Sequence, residues 1–251
     1  MNAVLAIVLR DVHKSFGATK IINGVNLQIK RGERHGLIGP NGAGKTTLFN
    51  MISGRLSVSR GEIELNGRSI QDREPHEINR MGLCRSFQIT SLFHRLSVFE
   101  NVRCALLWSL GYRYSITHLL SRQPKLNTAI QILLERLGLW DRREIRAGLL
   151  SYAEQRALEI GITVAGGADV ILLDEPTAGM NRNEADRAVS LIRQLTEGKT
   201  LLIVEHDMNV VFSLVDNVSV LVYGRVVASD VPERVRVDPV VREAYLGTKG
   251  A

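Results

Sequence analysis

The chain has little cysteine, few aromatic residues and no long apolar run, and each shortage removes a class of protein. Cys84 and Cys104 are the only cysteines, at neither metal-binding nor framework spacing, so reduced thiols are expected. No apolar stretch approaches the ~18–20 residues needed to cross a bilayer; the longest runs are short, such as Val170-Ile171-Leu172-Leu173. Met1 to Arg10 carries no basic segment followed by a long apolar one, so no signal peptide and a cytoplasmic location are expected. Aromatics make up 5% of residues, and the formal charge of +6 is spread without a run of five Lys or Arg. A basic stripe interleaved with stacking aromatics is therefore absent, and nucleic acid is not the expected partner. The modest basic excess suits an anionic nucleotide and a negatively charged membrane face.

What is present fits one sizeable domain. The 251 residues are 45% hydrophobic and 23% charged, ordinary for a globular protein, with no internal repeat and no low-complexity segment. Val25-Asn26-Leu27-Gln28-Ile29-Lys30 alternates apolar and polar, which predicts a half-buried strand. Glu62-Ile63-Glu64-Leu65 does the same and runs into Asn66-Gly67, a hairpin-turn dipeptide. Such alternation belongs to antiparallel sheet. His35-Gly36-Leu37-Ile38, Val170-Ile171-Leu172-Leu173 and Leu201-Leu202-Ile203-Val204 mostly lack alternation and end in polar or glycine-rich sequence. They read as parallel strands buried on both faces by helices. Ligands of such sheets bind beyond the carboxyl ends of the strands, so the residues after these three runs should converge. Asn127 to Leu137 carries a helical apolar face of Ala129, Ile130, Leu133, Leu134 and Leu137. The stretch from 107 to 124, with Trp108, Tyr112 and Tyr114, has no clear period.

The strongest chemical signal follows the first buried run. Gly39-Pro40-Asn41-Gly42-Ala43-Gly44-Lys45-Thr46 fits the phosphate-binding pattern Gly-x-x-x-x-Gly-Lys-Ser/Thr. Its glycines let backbone N–H groups face phosphate oxygens, and Thr47 to Ile52 can begin a helix whose N-terminus adds a favourable dipole. Lys45 would neutralise the terminal phosphates and Thr46 would ligate magnesium. At average glycine usage such a match arises by chance in about one chain in a hundred. The second run delivers Asp174-Glu175-Pro176, where Asp174 is the candidate on the metal side and Glu175 the candidate general base. The third delivers Glu205-His206-Asp207, placing His206 to reach a terminal phosphate or orient Glu175 or its water. Alone, an Asp-Glu or a His after a strand is more often a solvated loop start.

Taken together, these residues resemble the ATP-binding subunits of ABC transporters over nearly the whole chain. The resemblance implies an α/β P-loop NTPase core with a mainly parallel sheet covered by helices, an N-terminal antiparallel β subdomain and an inserted helical subdomain. Residues 1–88 and 166–251 would form the nucleotide-binding core within a single cassette of residues 1–251, and 89–165 the helical insert. It further implies ATP and magnesium as ligands. Phe16 would stack on adenine, and Gln88 would link the magnesium site to the transmembrane subunits. Gly39, Asn41, Gly42, Gly44, Lys45, Thr46 and Thr47 would line the nucleotide.

The family signature reads Leu150-Ser151-Tyr152-Ala153-Glu154-Gln155 here. By resemblance Ser151, Ala153 and Glu154 would reach a partner subunit's nucleotide across a head-to-tail dimer. Physically, Ser151-x-x-Glu154 is also a capping box opening a helix, and a hydroxyl spent on its own helix is less available to a nucleotide. The element departs from the usual Leu-Ser-Gly-Gly-Gln: Tyr152 is familiar in the branched-chain amino-acid importer group, including its urea and amide relatives, whereas Ala153 departs even from that variant. Asn181 stands where the wider family often has aspartate. The phrase Ser97-Val98-Phe99-Glu100-Asn101-Val102 and the tail Ala244-Tyr245-Leu246-Gly247 favour the same group, though lipopolysaccharide-export ATPases share parts of that tail. Implied partners are separate permease subunits at the cytoplasmic face of the inner membrane, a second copy or similar ATPase, and indirectly a solute-binding protein. The rivals are an exporter ATPase, a soluble ABC-type ATPase acting on DNA or ribosomes, and a subunit that binds ATP without turnover.

Overall fold

The computed structural model describes residues 4–86, 92–111 and 123–246, and contacts divide the chain into two units. The first unit takes residues 1–85, 169–175 and 197–251, and the second takes 86–168 and 176–196.

The first unit opens with β1 (Leu5–Phe16) and β2 (Thr19–Lys30), paired antiparallel, followed by β3 (Arg34–Ile38) and helix α1 (Lys45–Ile52). Along β2 the alternation works as the sequence predicts: Val25, Leu27 and Ile29 are buried while Asn26, Gln28 and Lys30 face solvent. Then come β4 (Arg60–Leu65) and the short β5 (Arg68–Ser69). They are joined through Asn66 and Gly67, both at positive φ (51° and 75°), the conformation that lets a two-residue turn match strand twist. These strands form a four-stranded antiparallel sheet in the order β2-β1-β4-β5.

A six-stranded sheet carries the rest of this unit. It adds β6 (Leu83–Arg85) after the short helix α2 (Pro75–Arg80), then β7 (Val170–Asp174), β8 (Thr200–Val204), β9 (Asn217–Val222) and β10 (Arg225–Asp230). The order is β10-β9-β3-β8-β7-β6, parallel throughout except for the β9–β10 edge hairpin. Every residue of β7 and β8 is buried, which explains why those segments show no alternation. A single apolar core joins Ile7, Leu9 and Leu27 of the antiparallel sheet, Leu48, Phe49 and Ile52 of α1, and Leu172, Leu202 and Leu221 of the parallel one. Each such side chain contributes about 1.5–3 kcal/mol by leaving water. Helix α1 thus begins at Lys45, two residues earlier than the helical run read from Thr47.

A polar cluster around His35 lies inside this unit. His35 on β3, 1% exposed, bonds through Nδ1 to Glu33 Oε1 (2.7 Å) and through Nε2 to Ser219 Oγ (2.8 Å). Asn217 and the Lys30 N–H also donate to Glu33, at 3.0 Å each. Burial alone would push the Glu33 carboxyl up, but the contacts from His35, Lys30 and Asn217 prevail and hold it below the usual carboxylate range. A lowered folded-state pKa means stability fully present above the unfolded value near 4.5 and lost as pH falls through the folded value. Glu33→Gln is therefore expected to cost about 1–3 kcal/mol at neutral pH. In urea titrations at descending pH, its deficit relative to wild type should shrink once Glu33 protonates; a deficit independent of pH contradicts this.

The second unit is helical: α3 (Val98–Ser109), α4 (Pro124–Arg136), α5 (Tyr152–Ala165) and α6 (Arg182–Leu195). Helix α4 buries Leu126, Ile130 and Leu134, one i, i+4 stripe. Gly161 of α5 lies so near Leu137 that a Cβ there would come within 2.6 Å of Leu137 Cδ1. Of the stretch without a clear period, α3 accounts for the part up to Ser109, and 112–122 falls outside the described residues. The chain closes in the first unit with α7 (Met208–Leu214), α8 (Pro232–Val237) and α9 (Pro239–Leu246).

Candidate functional site

Three adjacent parallel strands, β3, β8 and β7, end side by side, and each delivers one of the polar segments expected to converge. After β3 the glycine-rich loop turns into α1. Gly39 has no room for a side chain, since a Cβ would sit 2.0 Å from the Leu221 carbonyl oxygen. Gly44 precedes the helix at φ 104°, where a Cβ would also strike Ile22. Asn41 and Gly42 are exposed at the loop, Thr46 is exposed in the first turn of α1, and Thr47 is half-buried. Lys45 is buried, and its Nζ donates to the carbonyl oxygens of Gly39 (2.7 Å) and Pro40 (3.1 Å). Burial pushes its ammonium below the ordinary lysine range, and the charges of Glu175 and Asp174 act against that shift.

Asp174, 1% exposed, is the last residue of β7, and Arg85 at the end of β6 donates to its Oδ2 at 2.8 Å. Glu175 follows in the left-handed region at φ 47°, a conformation that costs a non-glycine residue of order 1–3 kcal/mol and clusters at functional sites. Its N–H donates to the Val204 carbonyl of β8 (2.9 Å). Its Oε1 lies 2.8 Å from Nε2 of His206, so the sequence-predicted base and histidine are in direct contact. Asp207, next to His206, caps α7 by accepting from the Asn209 N–H. Phe16, at the end of β1, is half exposed and lies 5.2 Å from the Lys14 ammonium, an open aromatic face rather than a core residue. Gln88 lies outside the described residues.

In the helical unit the capping box predicted from Ser151-x-x-Glu154 is present. Ser151 Oγ accepts from the Glu154 N–H at 3.4 Å and donates to Glu154 Oε2 at 2.8 Å, and the Ser151 N–H donates to the same carboxylate at 2.8 Å. Burial would raise the Glu154 carboxyl, but these contacts and Arg142 hold it low. The Ser151 hydroxyl is thus spent on its own helix. Ala153 is half-buried in the first turn of α5. The tyrosine that replaces a glycine here anchors the neighbouring loop, because its hydroxyl donates to the Ala178 carbonyl at 2.9 Å and its ring lies against Gly179. Arg156, one turn on, donates to the Pro176 carbonyl at 3.2 Å. The loop after the acidic pair is therefore held by α5, and Asn181 ends it as the N-cap of α6, in a reciprocal capping box with Glu184. Capping needs a short acceptor side chain, and asparagine supplies one without a charge.

Sequence reasoning missed Arg85, Tyr152's hydroxyl contact and the left-handed Glu175. Each depends on a partner or a backbone angle that no local period reports.

Comparison with known proteins adds independent findings. A family model described as ABC transporter matches residues 22–178, and one described as branched-chain amino acid ATP-binding cassette transporter matches residues 225–251. The chain is 35% identical, over 92% of its length and 94% of the relative's, to the high-affinity branched-chain amino acid transport ATP-binding protein BraF of Pseudomonas aeruginosa. Among solved structures it is similar to the ADP conformation of an ATP-binding cassette of an ABC transporter, with a TM-score of 0.83 and 29% identity, covering 97% of this chain and 99% of that one. It is also similar to a dimeric cassette in a post-hydrolysis state bound to ADP and phosphate, with a TM-score of 0.76 and 25% identity, covering 90% and 98%. Among the described residues no helix is long and apolar enough to cross a membrane.

Proposed function

This chain belongs to the ABC transporter family as an ATP-hydrolysing cassette, and on that premise we propose that it energises an importer of branched-chain amino acids or related amino acids, amides or urea. The cargo class is supported by the family match at 225–251 and by the likeness to BraF. The observation that carries the catalytic reading is the convergence of Lys45, Asp174-Glu175 and His206 at the ends of β3, β7 and β8.

In this reading the backbone N–H groups from Gly39 to Thr47 cradle the phosphates, with Asn41, Gly42 and Gly44 giving the close approach. Lys45 turns from the loop carbonyls to the β- and γ-phosphates, and Phe16 stacks on adenine. The Thr46 hydroxyl, the Asp174 carboxylate and the Gln88 carbonyl are hard oxygen donors of the kind that would hold magnesium. Held by these donors, magnesium would supply positive charge to the phosphate chain. Glu175 accepts a proton from the attacking water as that oxygen bonds to the γ-phosphorus. The bond to the bridging oxygen breaks, leaving ADP and inorganic phosphate. His206, in contact with Glu175, orients the base and the γ-phosphate.

The N-terminus of α5, with Ser151, Ala153 and Glu154, meets the nucleotide of a second copy or a similar ATPase. Because the Ser151 hydroxyl is engaged, backbone N–H groups carry much of that contact. ATP bridges the two cassettes, hydrolysis removes the bridge, and permease subunits at the cytoplasmic face of the membrane follow the closing and parting. A solute-binding protein delivers cargo to the permeases.

Purification of the tagged chain from gently solubilised native membranes tests this. Two multi-span subunits, a second ATPase and a solute-binding protein loaded with a branched-chain amino acid are expected. Export-type membrane partners without a binding protein, or ribosomes without membrane partners, contradict the importer.

A further inference from the structure

The least expected contact in the parallel-sheet unit is the three-way grip of Arg85. Its side chain is 7% exposed, a degree of burial that arginine rarely reaches unless it is paired. One terminal nitrogen donates to Asp174 Oδ2 at 2.8 Å. The other donates to Asn50 Oδ1 at 2.7 Å and to Ser53 Oγ at 2.9 Å. Asn50 lies in α1 and Ser53 is its C-cap. The Phe49 ring lies 5.5 Å from the guanidinium carbon. One planar fork thus ties the end of β6, the end of β7 and the helix that carries the phosphate loop.

This arrangement matters because Asp174 is a buried carboxylate that must hold one orientation to face a metal. An uncompensated charge at 1% exposure is strongly disfavoured, and only a fixed cation or a full set of donors relieves it. Lys45 also senses Asp174, but its ammonium is engaged on the loop carbonyls and is destined for phosphate. Arg85 has no such second duty. Because its other arm is fastened to α1, the distance from the Asp174 carboxylate to the first turn of α1, where Thr46 sits, is set by rigid contacts. Lysine could supply the charge but not a fork that spans both partners.

We propose that Arg85 is a positioning residue for the magnesium-side carboxylate: by gripping Asp174 and α1 together it sets the spacing between the Asp174 and Thr46 oxygens that receive the metal. The inference rests on the nucleotide-site reading above. Partners that orient a metal ligand typically change metal affinity or activity about 10–100-fold when lost.

The test is equilibrium binding of a fluorescent ATP analogue to the purified chain, in EDTA and across a magnesium titration. Arg85→Gln is expected to bind the analogue in EDTA as wild type does, while the magnesium midpoint rises about tenfold or more. Asn50→Ala/Ser53→Ala, which keeps the ion pair with Asp174 and frees the other arm, covers the case in which Arg85→Gln does not fold. Its midpoint should move the same way by a smaller factor. A wild-type midpoint in a folded Arg85→Gln, or in the double variant, overturns the proposal. If wild type shows no magnesium dependence, or Lys45→Ala binds the analogue as wild type does, the nucleotide-site reading itself fails and takes this inference with it.

Discussion

Glu175→Gln is expected to lower steady-state ATP turnover by about 10²–10⁴-fold while leaving nucleotide binding in place. That range corresponds to about 3–5 kcal/mol of lost transition-state stabilisation. Glutamine keeps the shape and can still hydrogen-bond His206, but its amide has no basic lone pair for the proton of the attacking water. The backbone argument points the same way: Glu175 sits at φ 47°, held by its N–H on the Val204 carbonyl, and glutamine inherits that geometry without new strain. The loss should therefore be chemical rather than structural. Phosphate release gives the rate, and nucleotide retained after gel filtration gives the occupancy. With hydrolysis blocked, the ATP bridge between two cassettes should persist, so the variant should also elute as a dimer in ATP and as a monomer in ADP. Turnover near the wild-type rate would move the base elsewhere, with His206, 2.8 Å away, the first candidate.

The parts legible in the sequence are those whose cause is local. Alternation along Val25 to Lys30 follows from a strand with one wet face, and the silent runs at Val170 and Leu201 from strands with none. Ser151-x-x-Glu154 closes its capping box within four residues, so the pattern and the hydrogen bonds are the same object. The phosphate loop is legible because close backbone approach demands glycine, as the Leu221 carbonyl beside Gly39 shows. Arg85 is different. Its partner Asp174 is brought beside it only by the parallel pairing of β6 with β7, and in sequence it reads as one more basic residue before Ser86. The His35-Glu33-Ser219 cluster is hidden for the same reason, since His35 in an apolar run looks merely out of place until β9 supplies its second partner. Tyr152 reads as a substitution for a glycine, and only the folded loop shows its hydroxyl bound to Ala178. Patterns report which face a residue takes; they do not report which distant residue meets it there.

Lys45→Ala should weaken ATP binding by about 1.5–3 kcal/mol, about ten- to a hundredfold in Kd, the size of a lost charged hydrogen bond. The ligand series makes the expectation specific. If the ammonium serves the terminal phosphates, the loss should be largest for ATP, smaller for ADP and absent for adenosine. A general collapse of the loop would weaken all three alike. Geometry favours the specific outcome. Lys45 is one of the buried residues of α1, yet its ammonium bonds to the Gly39 and Pro40 carbonyls, which belong to the loop itself. Removing it leaves the packing of Leu48, Phe49 and Ile52 untouched, so α1 should stay seated. The same variant also removes a positive charge that Asp174 and Glu175 both sense, so the remaining site becomes more negative and less hospitable to a polyanion. Thermal unfolding reads this without any turnover. Saturation at about 100 Kd stabilises a protein by about 2.7 kcal/mol, and at the same ATP concentration Lys45→Ala should lose about 1.3–2.3 kcal/mol of that. Equal shifts in wild type and variant would show that the glycine-rich loop does not hold phosphate through Lys45.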